Sequence, residues 1–144
     1  MLDNPDTRTA NTMQVVASPS RCEAKPGDPC AMVIFGATGD LTRRLVVPAL
    51  YNLARTNLLP EQFALIGVAR SARSTESWRE HLYDMLKSFV GKTGAEFSTD
   101  HIDEAAWQKL AAKMTYVQGD LTQPELYERL RGTLDGAEKT HGRF

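Results

Sequence analysis

The chain has 144 residues, enough for one ordinary domain and little more. Its apolar (42%), aromatic (8%) and charged (24%) content is that of a soluble globular domain. Seventeen basic and eighteen acidic residues leave a formal net charge of −1, so it lacks the basic excess of a nonspecific nucleic-acid binder. No apolar run approaches the ~20 residues that cross a bilayer, and the N-terminal stretch has no continuous apolar core of the kind found in secretory signals. Cys22 and Cys30 make neither a disulfide framework nor a zinc knuckle. The expected setting is a reducing cytoplasm, with no nucleic-acid or membrane partner.

Residues 1–30 read as a disordered tail, because Pro5, Pro19, Pro26 and Pro29 stand among small polar residues and only Val15-Val16-Ala17 is apolar. A folded part, residues 31–144, follows. The run Ala31-Met32-Val33-Ile34-Phe35 predicts a strand buried on both faces. Leu41, Leu45, Ala49 and Leu53 recur every fourth residue and predict the apolar face of a first helix. Pro48 predicts a kink or restart within it. The run Phe63-Ala64-Leu65-Ile66-Gly67-Val68-Ala69 predicts a second strand. A helix over about residues 74–90 would bury Trp78, Leu82, Met85, Leu86 and Phe89. Trp107, Leu110, Ala111 and Met114 predict a third helix, and residues 115–118 a third strand. Thr122-Gln123-Pro124-Glu125 has the form of a capping box, opening a last helix with Leu126, Leu130 and Leu134 inward. Strands alternating with helices predict right-handed crossovers and an α/β, Rossmann-like doubly wound parallel sheet. Three strands make about half of such a domain, and a fourth would be expected near Gly142-Arg143-Phe144. The chain therefore reads as a truncated dinucleotide-binding domain.

The most informative segment is Phe35-Gly36-Ala37-Thr38-Gly39-Asp40-Leu41-Thr42, where a strand passes through a glycine turn straight into a helix. Gly36 would allow the turn, and Gly39 would let the backbone approach a pyrophosphate. Unpaired N–H groups at the helix start would then face the anion, with Arg43 adding charge. The spacing is G-x-x-G rather than G-x-G-x-x-G, and no Gly-Lys-Ser/Thr follows, which excludes a Walker loop. The end of the second strand selects the dinucleotide: an acid suits NAD, an arginine NADP. Here stands Arg70, with Ser71 and Arg73 as weaker candidates and no acid before Glu76. Arg70 lies farther from Gly39 than the usual ~20 residues. Asp120 and Leu121, after the third strand, lie where ligands bind in open α/β sheets. Asp120 alternatively only caps the last helix.

At these residues the chain resembles the glucose-6-phosphate dehydrogenase family. The resemblance rests on Val33-Ile34-Phe35-Gly36-Ala37-Thr38-Gly39-Asp40-Leu41-Thr42-Arg43-Arg44-Leu45-Val46-Val47-Pro48-Ala49-Leu50-Tyr51-Asn52-Leu53, on Leu58-Leu59-Pro60 and on Ile66-Gly67-Val68-Ala69-Arg70-Ser71. It implies an NADP-dependent oxidoreductase that takes hydride from glucose 6-phosphate, giving 6-phosphogluconolactone in the pentose phosphate pathway. It implies a homo-oligomer for the full-length enzyme. By resemblance the cofactor-binding residues are Gly36, Ala37, Thr38, Gly39, Asp40, Leu41, Thr42, Arg43, Arg70, Asp120 and Leu121. The family's Arg-Ile-Asp-His-Tyr-Leu-Gly-Lys and Glu-Lys-Pro motifs, which carry its catalytic histidine and substrate lysine, do not occur in this chain. No catalytic residue is assigned, and this portion alone is expected to be inactive.

His81, His101 and His141 read as surface or structural residues, since no dyad or metal spacing is evident. Tyr83 and Lys87 have the Tyr-x-x-x-Lys spacing of short-chain dehydrogenases, but they fall before the third strand and read as a solvent-facing pair. Lys109 and Lys113 read as a solvated helix face. Two alternatives stay open: a stand-alone, non-catalytic dinucleotide-binding module, and a short-chain-dehydrogenase-like enzyme.

Overall fold

The computed structural model describes residues 23–92 and 99–144. Residues 1–22 of the expected tail, Cys22 among them, lie outside the described residues. Residues 23–29 are exposed and have no regular secondary structure.

Three parallel strands form one sheet in the order β1-β2-β3, where β1 is Cys30–Phe35, β2 Phe63–Ala69 and β3 Met114–Gln118. Val33 pairs with Ile66, and Ile66 with Thr115. The connections are helical: α1 (Val47–Arg55) between β1 and β2, then α2 (Thr75–Ser88) and α3 (Glu104–Ala111) before β3. Helix α4 (Pro124–His141) follows the last strand. This is the α/β order expected from the sequence.

Alternation along β2 divides the core. Phe63 and Leu65 face a cluster built by Val47, Leu50 and Tyr51 of α1, Trp78, Leu82 and Leu86 of α2, and Trp107 and Leu110 of α3. Ile66 and Val68 face a smaller cluster with Val117 and with Leu126 and Leu130 of α4. Helices therefore cover both faces of the sheet, which is why β2 is apolar throughout. Caps end the helices where the sequence supplies them. The Ser74 hydroxyl accepts from Ser77 N–H (3.0 Å) and opens α2, while the Asp103 carboxylate accepts from Ala106 N–H (3.1 Å) and opens α3.

Met114, expected on the third helix, instead opens β3, since α3 ends at Ala111, and three further expectations need correction. First, β1 is not buried on both faces: it is a sheet edge, and Met32 and Phe35 are exposed. Second, Leu41, Leu45, Ala49 and Leu53 point outward. The inward face of the first helical segment is Thr42, Val47, Pro48, Leu50, Tyr51 and Ala54. Pro48 lacks an N–H, and the backbone widens just before it into a π-helical turn, Thr42–Val46, with Val47 N–H bonded to Thr42 O. The restart expected at Pro48 is there, but the wider turn changes the phase between the loop and α1. The aromatic Tyr51 then takes the interior, where its hydroxyl accepts from Asp103 N–H (2.8 Å). Third, no capping box forms at α4. Its N-cap is Gln123, without a side-chain bond. The Thr122 hydroxyl is used instead by Asp120, at 2.8 Å.

Candidate functional site

The carboxyl ends of all three strands open onto one cleft of about 510 Å³, lined by Gly36, Thr38 and Gly39 after β1, Arg70 and Ser71 after β2, and Gly119, Asp120, Leu121 and Thr122 after β3. Val68 and Ala69 complete its wall. Six of the eleven residues singled out from the sequence meet here: Gly36, Thr38, Gly39, Arg70, Asp120 and Leu121.

The loop after β1 is rigidly built. Gly36 has φ +84, in the left-handed region that favours glycine. Gly36 and Ala37 N–H both donate to Val68 O, at 2.8 and 3.0 Å, tying the loop to β2. Gly39 N–H turns back to Gly36 O at 2.8 Å. The Thr38 and Asp40 N–H groups make no hydrogen bond to another described residue. They stand at the start of the helical segment, where unpaired N–H groups and the helix dipole attract anions. A Cβ on Gly39 would lie 3.0 Å from Gly36 O, so the turn leaves it almost no room.

The other five residues singled out from the sequence sit away from the cleft lining. Ala37 is fully buried, and its carbonyl accepts from the Trp78 indole N–H at 3.1 Å. Thr42 is buried, with its hydroxyl donating to Gly36 O at 3.3 Å. Both brace the loop from behind. Leu41 is exposed. The Asp40 carboxylate faces Arg43 (3.5 Å) and Arg44 (3.3 Å). Arg43 also reaches His81 Nε2 at 3.4 Å, so it is turned toward α2.

After β3 the Asp120 carboxylate accepts from both the N–H (2.9 Å) and the hydroxyl (2.8 Å) of Thr122. These two bonds hold its carboxyl below the ordinary carboxylate range; slight burial opposes them and Arg70 reinforces them. A hydrogen-bonded anion, Asp120, and a cation, Arg70, thus line the same cleft. The segment after β2 that carries Arg70 is held by β3. Gly119 N–H donates to Ala69 O (2.9 Å), the Gln118 side-chain amide to Arg70 O (3.3 Å), and the Tyr116 hydroxyl to Ser71 O (2.7 Å). Tyr116 itself packs on Trp78, with ring centroids 5.6 Å apart.

Trp78 and Tyr116 were missed as site supports, since nothing in their local sequence marks them. The available signal was Gly67 in the middle of a buried strand. A glycine there admits the close approach of another group, and that group is the Trp78 ring.

The Tyr83–Lys87 pair lies on α2, outside the cleft lining. The Tyr83 hydroxyl donates to Glu104, which pushes the phenol pKa up, and Lys87 pairs with Asp84 at 2.8 Å. A proton-transfer tyrosine needs the opposite shift, so the short-chain-dehydrogenase reading has no support.

Residues 33–143 match the family model described as glucose-6-phosphate dehydrogenase, NAD binding domain. The chain belongs to that family. Glucose-6-phosphate 1-dehydrogenase of Chlamydia muridarum (strain MoPn / Nigg) is 38% identical over 114 residues, which are 79% of this chain and 21% of that protein. Glucose-6-phosphate 1-dehydrogenase 2 of Mycobacterium tuberculosis (strain ATCC 25618 / H37Rv) is 34% identical over the same length, again 79% of this chain and 21% of that protein. Among solved structures, glucose-6-phosphate 1-dehydrogenase from Mycobacterium avium superposes with a TM-score of 0.61 at 32% identity, covering 75% of this chain and 22% of that one. A glucose-6-phosphate dehydrogenase in complex with its substrate glucose-6-phosphate superposes with a TM-score of 0.60 at 32% identity, covering 76% and 21%. The chain spans about a fifth of the length of these relatives. Among the described residues, no helix is long and apolar enough to cross a membrane. Cys30, on β1, is a free and exposed thiol.

Proposed function

We propose that this chain binds NADP and forms the cofactor part of a glucose-6-phosphate dehydrogenase, which oxidises glucose 6-phosphate to 6-phosphogluconolactone. The observation that carries the reading is the meeting of the Gly36–Gly39 turn, Arg70 and Asp120 in one cleft at the carboxyl ends of the strands. The unpaired Thr38 N–H, on the cleft wall at the start of the helical segment, suits a pyrophosphate. Arg70, exposed and without an acidic ion-pair partner among the described residues, suits a 2′-phosphate. Asp120, held ionised, suits a ribose hydroxyl as an acceptor. When bound, NADP supplies the hydride acceptor; the residues of this chain orient it and take no part in proton transfer. A cytoplasmic setting, glucose 6-phosphate as substrate and a homo-oligomeric full-length enzyme belong to the same reading.

The test is calorimetric titration of the 144-residue chain with NADP and NAD. Wild type binds NADP more tightly. Gly39→Val abolishes binding of both, because its Cβ crowds Gly36 O at 3.0 Å and its side chain takes the space through which a pyrophosphate approaches the turn; circular dichroism checks that the variant is folded. Arg70→Ala weakens NADP by about one to two decades, the worth of a charge-assisted phosphate contact of roughly 1.5–3 kcal/mol, and leaves NAD nearly unchanged. Wild-type NADP affinity in a folded Gly39→Val protein would remove the phosphate-loop assignment.

A further inference from the structure

We propose that Tyr116 is a positioning residue for cofactor choice: its hydroxyl fastens the backbone on either side of Arg70 and so sets the preference for a 2′-phosphorylated dinucleotide. The inference rests on the assignment of Arg70 made above.

Strand β2 ends at Ala69, and α2 begins at Thr75. The residues between, Arg70 to Ser74, are exposed and outside the ladder of the sheet. A connection of this kind is mobile unless other groups hold its carbonyls. Here β3 does so. The Tyr116 hydroxyl donates to Ser71 O at 2.7 Å, with a weaker approach to Ala69 O at 3.4 Å. Arg70 lies between those two carbonyls, and its own carbonyl accepts from the Gln118 amide at 3.3 Å.

The strut is itself rigid. Tyr116 is buried, and its ring packs on Trp78, tilted by 45°. Its N–H donates to the Thr75 hydroxyl at 3.0 Å, so both ends of the Arg70 connection are anchored to one residue. Burial pushes the phenol pKa up while Arg73 nearby pulls it down, and the net rise keeps the hydroxyl a donor at neutral pH.

The link to specificity is entropic. A free arginine side chain loses substantial rotamer freedom on gripping a phosphate. Fixing its backbone beforehand removes the part of that loss that falls on the main chain. NAD has no 2′-phosphate and gains nothing from the arrangement. Tyr116→Phe keeps the ring and its packing on Trp78 and removes only the hydroxyl.

The experiment titrates wild type, Tyr116→Phe, Arg70→Ala and the double variant of the full 144-residue chain with NADP and with NAD. Tyr116→Phe should raise the Kd for NADP about three- to tenfold, as expected for one neutral hydrogen bond, and leave NAD within about twofold. In the double variant the Tyr116→Phe effect should vanish, because the hydroxyl acts through Arg70. Equal losses for both cofactors, an unchanged NADP affinity, or full additivity with Arg70→Ala would each overturn the inference. If Arg70→Ala lowers the NADP preference and Tyr116→Phe does not, the Tyr116 inference falls and the Arg70 assignment stands. If Arg70→Ala leaves the preference intact, both fall.

Discussion

Replacing Gly67 with alanine puts one methyl group where the structure has no space for it. The new Cβ would lie 2.5 Å from Cη2 and Cζ2 of Trp78 and 2.8 Å from the Ala37 Cβ. Ordinary carbon contacts are about 3.5–4.0 Å, so something must move by an ångström or more. Neither neighbour is free to do so. Trp78 is 1% exposed, and its indole N–H is bonded to Ala37 O. Ala37 is 0% exposed and tied through its N–H to Val68 O. Overpacking of this kind costs about 1–3 kcal/mol, and losing the buried indole bond adds about 1 kcal/mol. The lower chain entropy of unfolded alanine offsets about 0.4–1 kcal/mol. The net expectation is a loss of roughly 1–3.5 kcal/mol, which lowers Tm by about 4–14 °C at ~4 °C per kcal/mol for a domain of this size. Because the displaced ring supports the Gly36–Gly39 turn, NADP affinity should fall as well. Thermal unfolding followed by circular dichroism, with calorimetry for binding, reads both. Trp78→Leu combined with Gly67→Ala should be more stable than the sum of the two single losses predicts, since the smaller side chain relieves the clash. A Gly67→Ala protein with wild-type Tm would refute the close-packing argument.

Two further expectations concern α4. Leu126 is fully buried between α4 and the sheet, so Leu126→Ala should destabilise by about 2–5 kcal/mol in urea unfolding; a loss under about 0.5 kcal/mol, as at an ordinary surface site, would show that α4 is not packed as described. His141 has its pKa lowered from 6.5, first by burial and then by Lys113. The unfolded chain therefore takes up this proton at higher pH than the native one, so the stability linked to it is full above about 6.5 and declines on acidification below that value. His141→Gln should flatten the fall in urea midpoint between about pH 7.5 and 5.5, and an unchanged slope would remove His141 as its source.

Local pattern alone determined much of this protein. The seven-residue apolar run 63–69 became β2 at the same bounds, because a strand buried on both faces must be apolar at every position. The strand–Gly–x–x–Gly–helix order marked the tight turn after β1, because its geometry and its unpaired N–H groups follow from residues adjacent in sequence. The place of Arg70 at the end of β2 was legible for the same reason. Tertiary structure decided what depends on partners far along the chain. The first helical segment offered two apolar stripes, and only packing into the core formed with α2, α3 and β2 chose Val47, Leu50, Tyr51 and Ala54 over Leu41, Leu45, Ala49 and Leu53. Strand β1 reads as a core strand by composition, yet its burial depends on a neighbour on each side, and among the described residues β2 is its one neighbour. The bonds from Trp78 to Ala37 and from Tyr116 to Ser71 join residues 41 and 45 positions apart. No window of sequence contains both partners of either bond, so the rigidity of the cleft comes into being only when the sheet brings its strand ends together.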